Sequence, residues 1–213
     1  MSKKEFIDEK IIELLDQVEN YAGEYPKDEP HENVDVIEQS LETSFIVDRK
    51  KVEFERRVMI EDKLTIMLPI NFDEMDAEAA KLKYPSEQRP PIIYTDPSNL
   101  VNFWVSPSEE FVSEDGVENL RDQIFSMISR LNPGIKPQQS GVEIVSQKKV
   151  AYIEYSNPTL DSKIYNLMFL FAIDEKMTAA CFNCLTKDSK YWKKPMFEML
   201  KSMQFTNVEK ERS

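Results

Sequence analysis

The chain has 213 residues, 41% of them apolar and 10% aromatic, which describes a globular protein with room for one domain and an appendage. Its net charge of −12 and pI near 4.7 repel polyanions, which excludes nucleic acid and acidic membrane surfaces as partners and leaves a basic protein as one. Two cysteines fit a reducing compartment.

The first ten residues carry Asp8, Glu9 and Lys10 where a signal peptide needs an unbroken apolar stretch. The longest apolar run, 167–173, is far too short to span a bilayer. The expectation is a soluble cytoplasmic protein with no membrane contact.

Residues 1–22 read as an amphipathic helix. Ile7, Ile11, Leu14, Val18 and Tyr21 recur at steps of four and three with charges between them. The seam is about two heptads long, shorter than a free coiled coil usually needs. It has three outlets: folding back on its own domain, pairing with a second copy as a homodimer, or binding another protein. Residues 23–42 read as an acidic linker with Pro26 and Pro30.

The compact domain is expected over 43–206, with 207–213 as a disordered tail. Residues 44–48, 51–60 and 63–68 alternate as strands, and Pro69 stops the third. Asp73 is placed to cap a short helix with Met75, Ala79 and Leu82 inward, ended by Tyr84-Pro85. Strands follow at 91–94 and 100–106. Ser113 or Asp115 caps a helix carrying Val117, Leu120, Ile124, Met127, Ile128 and Leu131, stopped by Asn132-Pro133-Gly134. Strands at 142–147, 150–155, 163–173 and 177–186 form a meander with a tight turn at 174–176. A last helix starts near Lys194, with Pro195 at its first position and Met196, Met199, Leu200 and Met203 along one side. This order indicates an α+β fold with a single central antiparallel sheet flanked by helices, preceded by the N-terminal amphipathic helix.

A set of ordered motifs accompanies this pattern. Leu68-Pro69 with Phe72 ends a strand, Phe182-Asn183-Cys184 lies in a late long strand, and Trp192 and Leu200-Lys201-Ser202 flank the closing helix. Over residues 41–205 the chain thereby resembles the PsbP-like/Mog superfamily. The resemblance implies an α/β/α sandwich. That group includes photosystem assembly subunits, a Ran-binding nuclear import factor and bacterial lipoproteins, so it implies no reaction. The lipoprotein or transit segment of many members has no counterpart in this reading, and the helix and acidic linker are additions.

Catalytic parts are sparse. The single histidine, His31, sits in the linker, where it cannot be held beside a nucleophile. Cys181 and Cys184 have CxxC spacing, but residues three apart on a strand face opposite ways, so the pair reads as one buried and one half-exposed thiol. Four glycines offer no phosphate-cradling loop. No metal or cofactor is implied.

Residues 84–91 form the best candidate binding segment. Prolines stiffen it, Arg89 offers a bidentate fork, and Tyr84 and Tyr94 supply flat contact area. Trp104, Tyr191 and Trp192 form a second candidate if they meet at the surface. The reading is a non-enzymatic protein-interaction or assembly-factor module. The alternative is a small-molecule-binding protein or weak hydrolase with a cleft lined by Arg89, Tyr94 and nearby acids.

Overall fold

A computed structural model describes residues 40–85, 87, 89–159 and 162–206. The expected helix of 1–22, with Ile7, Ile11, Leu14, Val18 and Tyr21, and the tail 207–213 lie outside the described residues, as does His31.

The chain begins with a hairpin of β1 (Phe45–Val47) and β2 (Lys50–Val52), followed by β3 (Phe54–Ile60), β4 (Leu64–Pro69) and β5 (Asp73–Glu74). Helix α1 (Ala77–Lys83) leads to β6 (Ile92–Thr95) and β7 (Asn102–Phe111). A 3-10 turn (Glu114–Gly116) opens α2 (Val117–Leu131). Then come β8 (Lys136–Val145), β9 (Lys148–Pro158), β10 (Lys163–Ile173), β11 (Lys176–Leu185), α3 (Ser189–Lys201) and β12 (Gln204–Phe205).

All pairings are antiparallel. They form three sheets: the two-stranded hairpin, a three-stranded sheet β12-β4-β3, and a seven-stranded sheet β5-β6-β7-β11-β10-β9-β8. This corrects the expected single central sheet flanked by helices. About half of the described residues are strand and fewer are helix, and one face of the large sheet is covered largely by other strands. The reason is partnering. β3 and β4 pair with each other, and β4 takes β12 from the C-terminal end as its second neighbour.

Both faces of the large sheet are buried. On one, Phe103, Phe169, Phe171 and Phe182 meet Leu64, Ile66 and Leu68 of β4 and Met196, Met199 and Leu200 of α3. Phe103 stacks on Phe182 with centroids 4.4 Å apart. On the other, Trp104, Met168, Leu170 and Cys181 pack with Ile124 and Ile128 of α2 and with Tyr84 after α1. Each such side chain contributes about 1.5–3 kcal/mol on leaving water. The period of two puts alternate residues of β10 into separate cores, which is why that strand is apolar almost throughout.

Local signals explain the boundaries. Asp76, and not Asp73, caps α1: its Oδ1 accepts from Glu78 N at 2.8 Å and Ala79 N at 3.2 Å. Asp73 belongs to β5, and Leu82 points outward while Ala80 is buried. α3 starts at Ser189, so Pro195 lies inside the helix instead of opening it. Three two-residue hairpins, Asp48-Arg49, Ser146-Gln147 and Asp174-Glu175, have φ between 45° and 68° at both central residues. That backbone matches the right-handed twist of the flanking strands.

Candidate functional site

The sequence-selected residues do not form one surface. Tyr84 is buried in the α2-side core, where the carbonyl of its own backbone accepts from Arg89 Nε at 3.0 Å. Tyr94 packs on the other core with the Arg57 guanidinium 5.3 Å from its ring centre. Tyr84 and Tyr94 therefore do not line a common cleft. Trp104 is buried in the α2-side core, and Trp192 is buried in the α3-side core against Phe72, 6.0 Å between centroids. The envisaged patch of Trp104, Tyr191 and Trp192 is thus replaced by packing on two faces. Tyr191 stays half-buried with Lys190 Nζ 4.7 Å from its ring centre. Both cysteines are buried, Cys184 included, and they sit in separate cores.

Under α1 the sheet carries a buried polar row. Thr95, Asn102, Asn183 and Asn166 are register neighbours on β6, β7, β11 and β10. Thr95 Oγ1 donates to Asn102 Oδ1 at 2.9 Å, and Asn102 Nδ2 donates to Asn183 Oδ1 at 2.8 Å. Asn166 Nδ2 donates to Asn157 Oδ1 at 2.7 Å. Lys83 at the end of α1 reaches in, donating to Asn102 Oδ1 at 3.1 Å and to the Asn99 carbonyl. Burial lowers the Lys83 amine to about 8, against the pull of Asp96. The Tyr84 hydroxyl lies beside Asn183, but no well-formed hydrogen bond closes on it, and burial pushes the phenol up.

The α3 side holds a buried carboxylate. Glu154 Oε2 accepts from the Tyr165 hydroxyl at 2.7 Å and pairs with Lys193 Nζ at 2.6 Å. Lys193 also donates to Gln138 Oε1 at 3.0 Å, which seats the first half of α3 over β8, β9 and β10. Burial, then the bond to Glu154, pushes the Tyr165 phenol up.

The elements that the Lys193 contacts join carry further lysines. Lys187, Lys190 and Lys194 of this region and Lys136 and Lys163 at the adjoining strand starts are exposed. Lys136, Lys163, Lys190 and Lys194 form no ion pair with a described residue. The opposite end of the sheet differs: there Lys63 pairs with Asp174 at 2.8 Å, Lys149 with Asp115 at 2.6 Å, and Lys176 with Glu109. The net charge conceals these lysines, because 13 acids and only four bases lie in residues 1–42. The signal was present in the sequence as Lys187, Lys190, Lys193 and Lys194 at helical spacing.

Among the described residues no group of His, Cys, Asp and Glu is placed to hold a metal ion, and no helix is long and apolar enough to cross a membrane.

No family model matches the chain, and no curated protein matches it. Solved structures do. The solution structure of cyanobacterial PsbP (CyanoP) from Synechocystis sp. PCC 6803 aligns with a TM-score of 0.53 at 11% identity, covering 71% of this chain and 92% of that one. A protein of unknown function from Pseudomonas aeruginosa, PA94, described as a putative regulator, aligns at 0.44 with 8% identity, over 70% and 94%. LpqN of Mycobacterium tuberculosis, involved in cell envelope biogenesis, aligns at 0.47 with 8% identity, over 77% and 98%. The likeness to the Synechocystis protein shows a remote PsbP-like fold. The Mog side of the resemblance gains no support.

Proposed function

We propose that this chain is a non-enzymatic protein-interaction module in which the PsbP-like domain is a rigid platform and the lysine face of α3 is the contact surface. One observation carries the reading: four exposed lysines, two on α3 and two at the starts of β8 and β10, have no carboxylate partner among the described residues, while lysines at the other end of the sheet are paired. Clustered like charges raise the local potential and steer a partner of opposite sign. An acidic protein segment is the partner this face fits. A basic partner, suggested by the net charge, would meet residues 1–42 instead.

The test is titration of a fluorescein-labelled polyglutamate peptide into the full chain at low salt. Saturable binding that the K163E/K190E/K194E variant loses supports the reading. Equal binding by the variant, or no binding by either protein, overturns it.

A second reading, a small-molecule-binding protein, is favoured by the buried Tyr84 hydroxyl with no hydrogen bond beside the amide row. A small polar ligand that accepts from that hydroxyl would raise the melting temperature of the native chain. It would not raise that of Tyr84→Phe.

A further inference from the structure

The amide row under α1 is not continuous. Its first half closes on itself: Asn102 Oδ1 accepts from Thr95 Oγ1 and Lys83 Nζ, and Asn102 Nδ2 donates to Asn183 Oδ1. In the second half Asn166 Nδ2 donates away from Asn183, to Asn157 Oδ1 at 2.7 Å and to the Ile164 carbonyl at 3.4 Å. Asn183 and Asn166 are register partners on β11 and β10, yet no side-chain hydrogen bond joins them.

Unused hydrogen-bonding capacity collects at this break. The Tyr84 hydroxyl, on a side chain only 2% exposed, lies beside Asn183 and has no hydrogen-bond partner. Asn166 Oδ1 receives the Cys181 thiol alone, with Sγ 3.9 Å away, and that sulfur stands closer to the Phe182 carbonyl, at 3.3 Å. One thiol hydrogen cannot serve both. The break therefore presents an O–H without an acceptor and a side-chain carbonyl oxygen without a good donor. Leaving such groups unmet in a buried place is costly, and folded proteins rarely do so without a reason.

We propose that the break between Asn183 and Asn166 is a binding subsite for the amide group of a small uncharged ligand, whose carbonyl accepts from the Tyr84 hydroxyl and whose N–H donates to Asn166 Oδ1. The inference rests on the second reading, that of a small-molecule-binding protein, and names the group its ligand carries.

Charge and cover select this occupant. Lys83 directs its ammonium to Asn102 and the Asn99 carbonyl, and Asn102 lies two strands away from Asn166. A charged group at the break would be buried without an adjacent counter-ion, which is expensive. An amide supplies one acceptor and one donor on neighbouring atoms and needs no counter-ion. Tyr155, opposite Asn166 on β9, and Met168, two residues along β10, offer apolar contact to the rest of the molecule. Access runs past α1. This helix buries only Ala80 of its seven residues, which places it among the elements that open most readily.

Benzamide, acetophenone and benzoate test the assignment, because they share a ring and differ in headgroup. The amide accepts and donates, the ketone only accepts, and the carboxylate accepts and is charged. The melting temperature of the full chain is followed as each is titrated. Benzamide should raise it saturably and bind roughly tenfold more tightly than acetophenone, the worth of one hydrogen bond, with benzoate weaker still. Tyr84→Phe should fold as the native chain does, since the hydroxyl it removes makes no bond, and should lose the benzamide shift. Asn166→Leu should bind benzamide no better than acetophenone. Should that variant fail to fold, the ligand series on the native chain reads the same acceptor. Acetophenone binding as well as benzamide, or benzoate binding best, with the shifts lost in Tyr84→Phe, overturns the amide assignment and leaves the small-molecule reading standing. No shift with any of the three, or shifts unchanged in Tyr84→Phe, removes the subsite and that reading together, with water alone serving the hydroxyl.

Discussion

Lys193 Nζ lies 2.6 Å from Glu154 Oε2, an ion pair that reaches from the first half of α3 to the middle of β9. The carboxylate is almost wholly buried, at 1% exposure, while the lysine keeps 41%. This asymmetry fixes what each substitution does. Lys193→Met strands a buried charge that only the Tyr165 hydroxyl still meets, and should cost about 2 kcal/mol once solvent screening of the lysine is allowed for. Glu154→Gln keeps an acceptor for Tyr165 and removes the charge, so it should cost less. Urea denaturation with an unchanged slope checks both, and a larger loss for the glutamine variant would contradict the assignment.

Lys83 gives the stability a signed pH dependence. Its amine is at about 8 when folded, against an ordinary 10.5. A lowered value means that the unfolded chain binds more protons between those limits, so this group makes stability rise with pH from about 8 to 10.5. The full effect is on the order of 3 kcal/mol. Lys83→Met removes it. The stability of the variant minus that of the native chain should therefore fall across this window, and a flat difference would refute the burial of the amine.

The thiols of Cys181 and Cys184 are pushed up by burial, and they point into separate cores. Neither should react with a thiol-exchange dye in the native state at neutral pH, since the thiolate is the nucleophile and access is closed. Both should react at once in denaturant. Rapid native labelling of either thiol would restore the half-exposed cysteine expected from the strand pattern.

Asp174-Glu175 turns the β10–β11 hairpin with φ of 51° and 60° and no glycine. A non-glycine residue in this region costs about 1–2 kcal/mol, and glycine loses about 0.5–1 kcal/mol more freedom on folding. Glu175→Gly should thus stabilise by about 0.5–1 kcal/mol, seen as a shifted urea midpoint. Lys176→Gly, one residue into β11, should destabilise.

Much of the fold was legible in the sequence where one periodicity dominates. Val117, Ile124 and Ile128 of α2 and Met196, Met199 and Leu200 of α3 are buried as their spacing demanded. Leu64, Ile66 and Leu68 of β4 are likewise inward. The assignment of strands to sheets was not legible, because alternation says which side of a strand is buried and nothing about its second neighbour. β12 joining β4 across most of the chain is such a pairing. The start of β8, Lys136-Pro137-Gln138-Gln139, carries no apolar alternation because that sheet edge is exposed. Trp104 and Trp192 suggested a surface only while burial of both sheet faces was unknown. The polar row is a property of register: Thr95, Asn102, Asn183 and Asn166 come together only once four strands are aligned. The lysine face was masked by arithmetic, since acids in residues 1–42 dominate the total charge.

The most direct measurement is amide chemical-shift mapping of the isotope-labelled full chain as polyglutamate is added at low salt. The account predicts shifts that saturate and cluster at Lys136, Lys163, Lys190 and Lys194, reverse as salt rises, and spare the turns at Glu61-Asp62 and Asp174-Glu175. Shifts confined to Tyr84, Arg89 and the amide row, or no saturable shifts at the lysines, would contradict it.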